Sequence, residues 1–297
     1  MNWFILSLIA ILFWSGSDLF SKMGSPADDH LSHWTMTAAV GLVMGAHAIF
    51  QLLMGAEFHL QDIVTYFPAS FLYILSMLLG YAGLRYIELS ISSPICNSSG
   101  AVAALLCFLF LGDEMTWVQF LAVILITVAI TLLAVIEKKK DKDEMASEGI
   151  VPEHKYTRSF LAIGLPILYC LIDGLGTFVD AVLLDGYIDE TRGNIAYELT
   201  FLVVGIFALI YVCGIKKQKL SMKRDFHKLT AALSETAGQF FYIYAIGANA
   251  ILAAPMISSY CIVSLLWCRI ILKEKLTRKQ YAVIFMAAVG IAILGME

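Results

Sequence analysis

The sequence predicts an all-α integral membrane protein with ten transmembrane helices, arranged as two five-helix inverted repeats. Three observations support this prediction. Apolar residues make up 60% of the 297 residues and charged residues 15%; the apolar residues form ten stretches of spanning length; and the second half of the chain echoes the first. Soluble domains are about 45–50% apolar and about 25% charged. We therefore expect lipid to surround most of this chain.

The apolar stretches are long enough to cross a bilayer, which takes about 20 residues of α-helix. They occupy residues 3–21, 34–56, 65–87, 91–112, 116–136, 159–184, 193–215, 228–247, 250–272 and 279–296. Unpaired backbone groups are excluded from lipid, which favours helices here. The first stretch lacks a basic leader and a small-residue cleavage site, so we interpret it as a span. Gly247-Ala-Asn249 is the predicted break in a long uncharged run.

A fixed-offset echo defines the domain organisation. Pro94 recurs as Pro255, 161 residues later, and the register continues without a gap to the C-terminal residue. Such an echo indicates a duplicated unit. It predicts a first repeat at residues 1–136, a charged cytoplasmic linker at 137–158 and a second repeat at 159–297. The mixed charges of the linker are typical of a solvated connector, with an anionic-lipid contact and a regulatory segment as alternatives.

Basic residues predict the orientation. Of the 20 Lys and Arg residues, 19 lie at the joints after spans 1, 3, 5, 7 and 9, and Arg192 alone lies on the other side. Because Lys and Arg accumulate on the cytoplasmic side, both termini are predicted to lie outside the cell membrane. Five spans is an odd number, so the second repeat enters the membrane inverted. Inverted repeats are typical of secondary transporters, with the substrate near the midplane.

The echoed segment also carries a recognisable motif. A proline opens the fourth helix of each unit, and the joint Leu111-Gly-Asp-Glu-Met-Thr-Trp-Val-Gln119 recurs as Leu272-Lys-Glu-Lys-Leu-Thr-Arg-Lys-Gln280. This pattern resembles the EamA-type unit of the drug/metabolite transporter superfamily, whose acidic residue is here Asp113 and Glu274. The resemblance implies a ten-helix carrier with a central pocket lined by helices one to four of each unit. Members are usually drawn with both termini in the cytoplasm, the reverse of this charge pattern.

The motif residues are expected to build the fold. Proline in the first turn of a helix costs no hydrogen bond, which suits Pro94 and Pro255. Thr116 is a predicted N-cap with Gln119 completing a capping box, and the second repeat has the same pair at its equivalent positions. We do not expect these residues to contact substrate.

Acidic residues at membrane depth are the first candidates for a substrate- or proton-binding site, because a central carboxylate costs about 2.5–3.5 kcal/mol on insertion scales. Asp173 lies near the middle of span 6, with Thr177 and Asp180 on the same face at i+4 and i+7. Glu235 lies inside span 8, with Tyr242 on its face. The alternatives are an interfacial position for Asp180 and a side chain of Glu235 that reaches the cytoplasmic surface.

Two further ionisable candidates have stronger structural alternatives. Asp18 has Lys22 four residues later, so a surface ion pair is an equal interpretation. His47 is central in span 2, where an interhelical hydrogen bond is the alternative to a binding role. Glu198, near the start of span 7, is predicted to be interfacial.

Small polar and aromatic residues complete the candidate site. Asn97 and Tyr260 belong to equivalent polar patches of spans 4 and 9, for which close helix packing is the alternative. Trp14, Tyr81 and Tyr242 share a helix face or a repeat register with polar residues. Aromatic faces attract cations by about 0.5–2 kcal/mol.

These residues predict a secondary active transporter that moves a small metabolite by alternating access. Deep acids outnumber deep bases, so a cationic or amine-bearing solute and a proton as coupling ion are the favoured hypotheses. Membrane lipids are the expected surroundings, with no nucleic-acid partner, and a monomer and a homodimer both remain open. No cofactor or metal is expected, because the six cysteines form no Cys-x-x-Cys pair and read as packing residues.

Three other functions remain as alternatives. A lipid-linked sugar flippase of the same superfamily requires basic groups at depth for a pyrophosphate, and Arg85 and Arg269 are the nearby ones. An intramembrane enzyme is disfavoured because the sequence has no Gly-x-Ser-x-Gly or His-Glu-x-x-His motif. A scaffold leaves Asp173 without a role.

Overall fold

The computed structural model describes residues 2–24, 29, 31–83, 95–112, 114–147, 160–271, 273 and 276–296. Every regular element within these residues is helical. The helices are α1 (Trp3–Gly24), α2 (Ser32–Leu53), α3 (Leu60–Gly83), α4 (Ser99–Phe110), α5 (Trp117–Ser147), α6 (Phe160–Leu184), α7 (Glu190–Leu209), α8 (Met222–Ile257), α9 (Tyr260–Ile271) and α10 (Arg278–Met296). A π-helical turn, Ile210–Ile215, continues α7.

Eight helical stretches among the described residues are long and apolar enough to cross a membrane, and α4 and α9 are shorter apolar helices. The chain is therefore an integral membrane helical protein. Helix α5 continues to Ser147, so the first part of the predicted linker is helical. The motif residues Pro94, Asp113 and Glu274 lie outside the described part of the chain.

The break predicted at 247–249 lies inside α8. Asn249 has a non-helical backbone (φ −166°, ψ 84°), and its side-chain Oδ1 accepts the N–H of Leu252 at 3.2 Å, as in an N-cap. Pro255 therefore lies in the second turn after this cap. Its predicted first-turn position is wrong, because the helix restarts earlier than the proline alone suggests.

Two further breaks occupy equivalent positions of the sequence echo. Turns at Asn97-Ser98 and at Ser258-Ser259 interrupt the helical backbone immediately before α4 and α9. Both turns replace helical bonds with the same tighter ones: Ser98 N–H donates to Ile95 at 3.2 Å, and Ser259 N–H to Met256 at 3.1 Å. Predicted spans 4 and 9 are thus discontinuous at matching places.

The capping boxes form as predicted. The N–H of Thr116 donates to Gln119 Oε1 at 2.9 Å, and the N–H of Gln119 donates to Thr116 Oγ1 at 3.2 Å. Thr277 and Gln280 make the same reciprocal bonds at 2.7 and 3.3 Å. Each pair satisfies backbone donors that a helix start otherwise leaves unpaired.

Two helix pairs pack most extensively: α2 with α7, and α5 with α10. Glycine allows the close approach in both. A Cβ on Gly41 of α2 would lie 2.6 Å from the carbonyl oxygen of Phe201 in α7. A Cβ on Gly290 of α10 would lie 2.7 Å from the side chain of Ile126 in α5. Small residues are what let membrane helices approach backbone to backbone.

The chain divides into two compact units. Unit 1 contains residues 1–71 and 179–248, and unit 2 contains residues 72–178 and 249–297. Each unit draws residues from both predicted repeats. Helices α3, α6 and α8 contribute residues to both units.

Candidate functional site

Asp173 lies in unit 2, beside one of the helix breaks. Ser76 of α3 donates a hydrogen bond to its Oδ1 at 2.9 Å, and Ser99, the first residue of α4, also hydrogen-bonds this carboxylate. Both partners are neutral hydroxyl groups. The carboxylate is therefore held in position without a contact to Lys or Arg among the described residues.

The two helix breaks pack against each other within unit 2. A Cβ on Gly100 would collide with Ala254 and Ser258, so the start of α4 lies directly against the segment before α9. A Cβ on Gly174 would lie 2.8 Å from the carbonyl oxygen of Ser99. These glycines bring the backbone of the first break next to Asp173 and against the segment that contains the second break. Irregular backbone at membrane depth is tolerated where protein buries it or where it lines a cavity.

Asp180 lies in unit 1 and is completely buried. The hydroxyl of Tyr66 in α3, itself fully buried, donates to its Oδ1 at 2.6 Å. On the same helices in unit 2, Tyr73 donates to Thr177 Oγ1 at 3.2 Å. The face predicted for Asp173, Thr177 and Asp180 is therefore the face that α6 turns toward α3.

The aromatic candidates Trp14 and Tyr242 contact each other in unit 1, with ring centroids 4.9 Å apart. The indole ring of Trp14 lies against the backbone of Gly238, where a Cβ would collide with it. Tyr242 is buried, whereas Glu235 on the same helix α8 is half-buried. Asp18, one turn after Trp14 on α1, is also half-buried.

His47 and Glu198 form a hydrogen-bonded pair between α2 and α7 in unit 1. His47 Nδ1 lies 2.8 Å from Glu198 Oε1 and 3.0 Å from Oε2. The Glu198 side chain is completely buried, and that of His47 is 28% exposed. Glu198, which was predicted to be interfacial, is thus buried between α2 and α7. The spacing of Asn194 and Glu198 on one face of α7 is the sequence signal for a buried acid.

A buried lysine joins three elements at one end of unit 1. Lys228 of α8 is 1% exposed; its Nζ lies 2.8 Å from Asp29, which precedes α2, and 3.2 Å from Asp225. It also donates to Thr35 Oγ1 in the first turn of α2 at 2.7 Å. Burial alone would raise the pKa of Asp29, but the hydrogen bond and positive charge of Lys228 outweigh it and lower this pKa.

The lowered pKa of Asp29 predicts a pH-dependent stability. An acid whose pKa is lower in the folded than in the unfolded state stabilises the fold above its unfolded pKa, about 4, and loses that contribution as pH falls through the folded pKa. We expect Asp29→Asn to lower the melting temperature at about pH 7, and the difference from wild type to shrink below about pH 4. Melting in detergent across this range measures it. A difference that stays constant with pH contradicts the assignment.

Arg192, the one basic residue on its side of the predicted membrane, makes an ion pair at the other end of unit 1. Its guanidinium group contacts both carboxylate oxygens of Asp62, which is 3% exposed in the first turn of α3. Asp189 caps α7 by accepting the N–H of Arg192 at 3.0 Å. Neither Asp62 nor Arg192 was among the predicted site residues.

The remaining candidates are placed as follows. Asn97 is buried in the first helix break, and Tyr260 is half-buried at the first position of α9. Tyr81 belongs to α3, and its side chain lies outside the described part. Within the residues that the structure describes, no group of three His, Cys, Asp or Glu residues could hold a metal ion.

A groove of about 150 Å³ in unit 2 runs past the first break. The residues that line it are mostly aliphatic, and two of them, Ile167 and Leu171, are exposed side chains of α6. The groove therefore suits a lipid chain better than a polar solute.

Comparison with known proteins agrees with this architecture. The sequence model of the EamA-like transporter family, whose members are transporters rather than enzymes, matches residues 1–135. No curated protein matches the chain. In fold, 28 chains of solved structures match it. One of them, described as "Crystal structure of protein", has a TM-score of 0.72 and 12% identity, and the match covers 99% of this chain and 96% of that one. Residues 1–135 of this multi-pass membrane protein are therefore similar to the EamA-like transporter family.

Proposed function

We propose that the chain is a secondary active transporter that moves a small cationic or amine-bearing solute by alternating access, with Asp173 as the recognition group. The observation that carries this proposal is the pair of helix breaks that pack against each other, the first of them beside Asp173. Discontinuous helices at the midplane are where many transporters bind substrate, because freed backbone groups and helix ends line the site. The Ser76 and Ser99 hydroxyl groups would orient the Asp173 carboxylate toward a cation.

Helix pairing supports ten spans in two inverted repeats. Each predicted repeat packs its first helix on the third helix of the other: Trp14 of α1 on Gly238 of α8, and Gly176 of α6 on Tyr73 of α3. The second helices pair with each other, as do the fifth helices. The two breaks, in the fourth helices, also meet. A pseudo-two-fold relation between the repeats accounts for all of these pairings.

The two ion-pair clusters support alternating access. Helix α7 runs antiparallel to α2, because Gly41 lies near Gly205 and His47 near Glu198. The Lys228 and Arg192 clusters therefore lie at opposite ends of α2. Each joins the start of the second helix of one repeat to the start of the third helix of the other. In the proposed cycle one cluster opens while the other stays closed.

The charges favour a cation over the pyrophosphate of a lipid-linked sugar. Lys228 and Arg192, the buried and half-buried basic groups among the described residues of unit 1, are each bound to carboxylates. Arg269 is exposed, and Arg85 lies outside the described part. The basic residues of the sequence further support the proposal that both termini lie outside the cell membrane.

A ligand screen with a charge-matched variant tests the proposed function. The purified protein is screened by thermal shift against amines, quaternary ammonium compounds, amino acids, nucleotides and sugars, and hits are assayed for uptake into proteoliposomes. We expect a cationic hit whose affinity falls about 10–100-fold in Asp173→Asn, the loss typical of a charged hydrogen bond. Asp185→Asn, at the exposed end of the same helix, is the matched control and should bind normally. Uptake of neutral or anionic solutes alone, unchanged in Asp173→Asn, would contradict the proposal.

A further inference from the structure

His47 and Glu198 form an ionisable pair. This pair has no role in the proposed recognition of a solute by Asp173. Glu198 is completely buried between membrane helices, and His47 contacts both of its carboxylate oxygens. A carboxylate in such surroundings is costly unless it is paired or protonated. Histidine is the side chain that gains or loses a proton near neutral pH. The pair therefore places an acid and a base within one hydrogen bond of 2.8 Å.

Gln51 lets the same arrangement serve two protonation states. Its Nε2 lies 3.1 Å from His47 Nδ1 and 3.4 Å from Glu198 Oε2. When a proton lies between Nδ1 and the carboxylate, the Gln51 amide donates to Oε2. When that proton leaves, two lone pairs face each other, and the amide donates to Nδ1 instead. The Gln51 amide thus donates a hydrogen bond either to Oε2 or to Nδ1, depending on where the proton is.

The surroundings of the pair add no competing charge among the described residues. From α8, the ring of Phe240 meets the imidazole edge to face, with centroids 5.5 Å apart. From α7, the amide of Asn194 lies beside Glu198, fully buried and without a well-formed hydrogen bond of its own. Besides burial, the groups that act on Glu198 are His47 and Asn194, and the group that acts on His47 is Glu198.

Asp173 and the His47–Glu198 pair have different hydrogen-bond partners. This difference suits Asp173 to a solute and the pair to a proton. The partners of Asp173 are serine hydroxyls, which orient a carboxylate but do not take up its proton near neutral pH. Glu198 instead faces an imidazole that can. In addition, the side chain of His47 is 28% exposed, whereas that of Glu198 is completely buried.

We infer that His47 and Glu198, with Gln51 as the switching donor, form the site that binds the coupling proton. Only the role of this proton in driving transport rests on the proposed function. One proton is taken up at the Nδ1–Oε hydrogen bond and one is released there, with no other change of bonding.

Titration of the histidine rings tests this inference without any solute. The full-length protein is prepared in lipid nanodiscs with ¹⁵N-labelled imidazole nitrogens, and spectra are recorded from about pH 5 to about pH 9, where histidines titrate. The signal lost in His47→Asn identifies His47. We expect this signal to change protonation state across the range, and its midpoint to move by about one unit or more in Glu198→Gln, as removal of a direct charge partner does.

Two variants complete the experiment. His59→Asn, at an exposed position, should leave the His47 titration unchanged. Glu198→Asp keeps the charge but lengthens the contact, so it must also move the midpoint, and it serves if Glu198→Gln does not fold. A His47 ring that keeps one state throughout, or a midpoint that is the same with and without Glu198, would overturn the inference. Titration without transport of any solute would instead count against the proposed function alone.

Discussion

Gly41→Ala is expected to lower the melting temperature by roughly 2–10 °C, corresponding to an overpacking cost of about 1–3 kcal/mol. An added Cβ would lie 2.6 Å from the carbonyl oxygen of Phe201 and 2.7 Å from the Cα of Gly205. Both neighbours are backbone atoms, so no side-chain rotation relieves the contact. Helices α2 and α7 would have to separate, and this separation would also lengthen the contact between His47 and Glu198.

Gly16→Ala is the matched control for this prediction. It also adds one methyl group to a membrane helix, but its nearest new neighbour is the Ser234 hydroxyl at 3.8 Å, an ordinary contact. Melting temperatures in one detergent, followed by fluorescence-detected gel filtration, compare the two variants. Equal stability of both would show that α2 and α7 do not cross at Gly41.

Lys228→Met is expected to destabilise the fold by about 3–5 kcal/mol, the usual result of removing one partner from a buried ion pair. The change would leave Asp29 and Asp225, which are 12% and 16% exposed, without the ammonium group that contacts both. The two negative charges would then lie near each other in a poorly hydrated part of unit 1. Thermal melting of the purified variant measures the loss.

A double variant separates the ion pair from the packing of the lysine stem. Adding Asp29→Asn to Lys228→Met removes one stranded charge and should recover part of the loss, since coupled partners show interaction energies of about 0.5–3 kcal/mol. Lys216→Met, at an exposed site, should melt as wild type does. If the double variant is as unstable as the sum of the two single losses, Lys228 stabilises the fold by packing and not through its charge.

Much of the local structure was predictable from the sequence. The break at Asn249 and the two capping boxes depend on residues within a few positions of each other, whose conformational preferences act locally. The face of α6 that carries Asp173, Thr177 and Asp180 follows from helical periodicity alone. The first-turn position predicted for Pro255 was wrong because proline restricts the backbone without specifying where a helix begins. The turn before α9 became evident only from the backbone.

Partners remote in the sequence were not predictable in this way. Glu198 stands near the end of a predicted span, and nothing local in the sequence indicates that it meets His47, 151 residues away. In the sequence Arg192 is an isolated exception to the charge pattern, and only the packing of α3 and α7 shows that it meets Asp62. A single sequence contains nothing that states which face of one helix meets which face of another.

The sequence by itself determined that this chain is a helical membrane protein, that it carries an EamA-type motif, and where the capping boxes and the break at Asn249 lie. These properties depend on composition, length and short-range spacing, and each of these acts within one segment of the chain. Only the tertiary structure decided that the two helix breaks pack against each other, that the first lies beside Asp173, and that Glu198 is buried against His47. Such contacts arise from the packing of whole helices, because close approach at a few glycines fixes which side chains face each other.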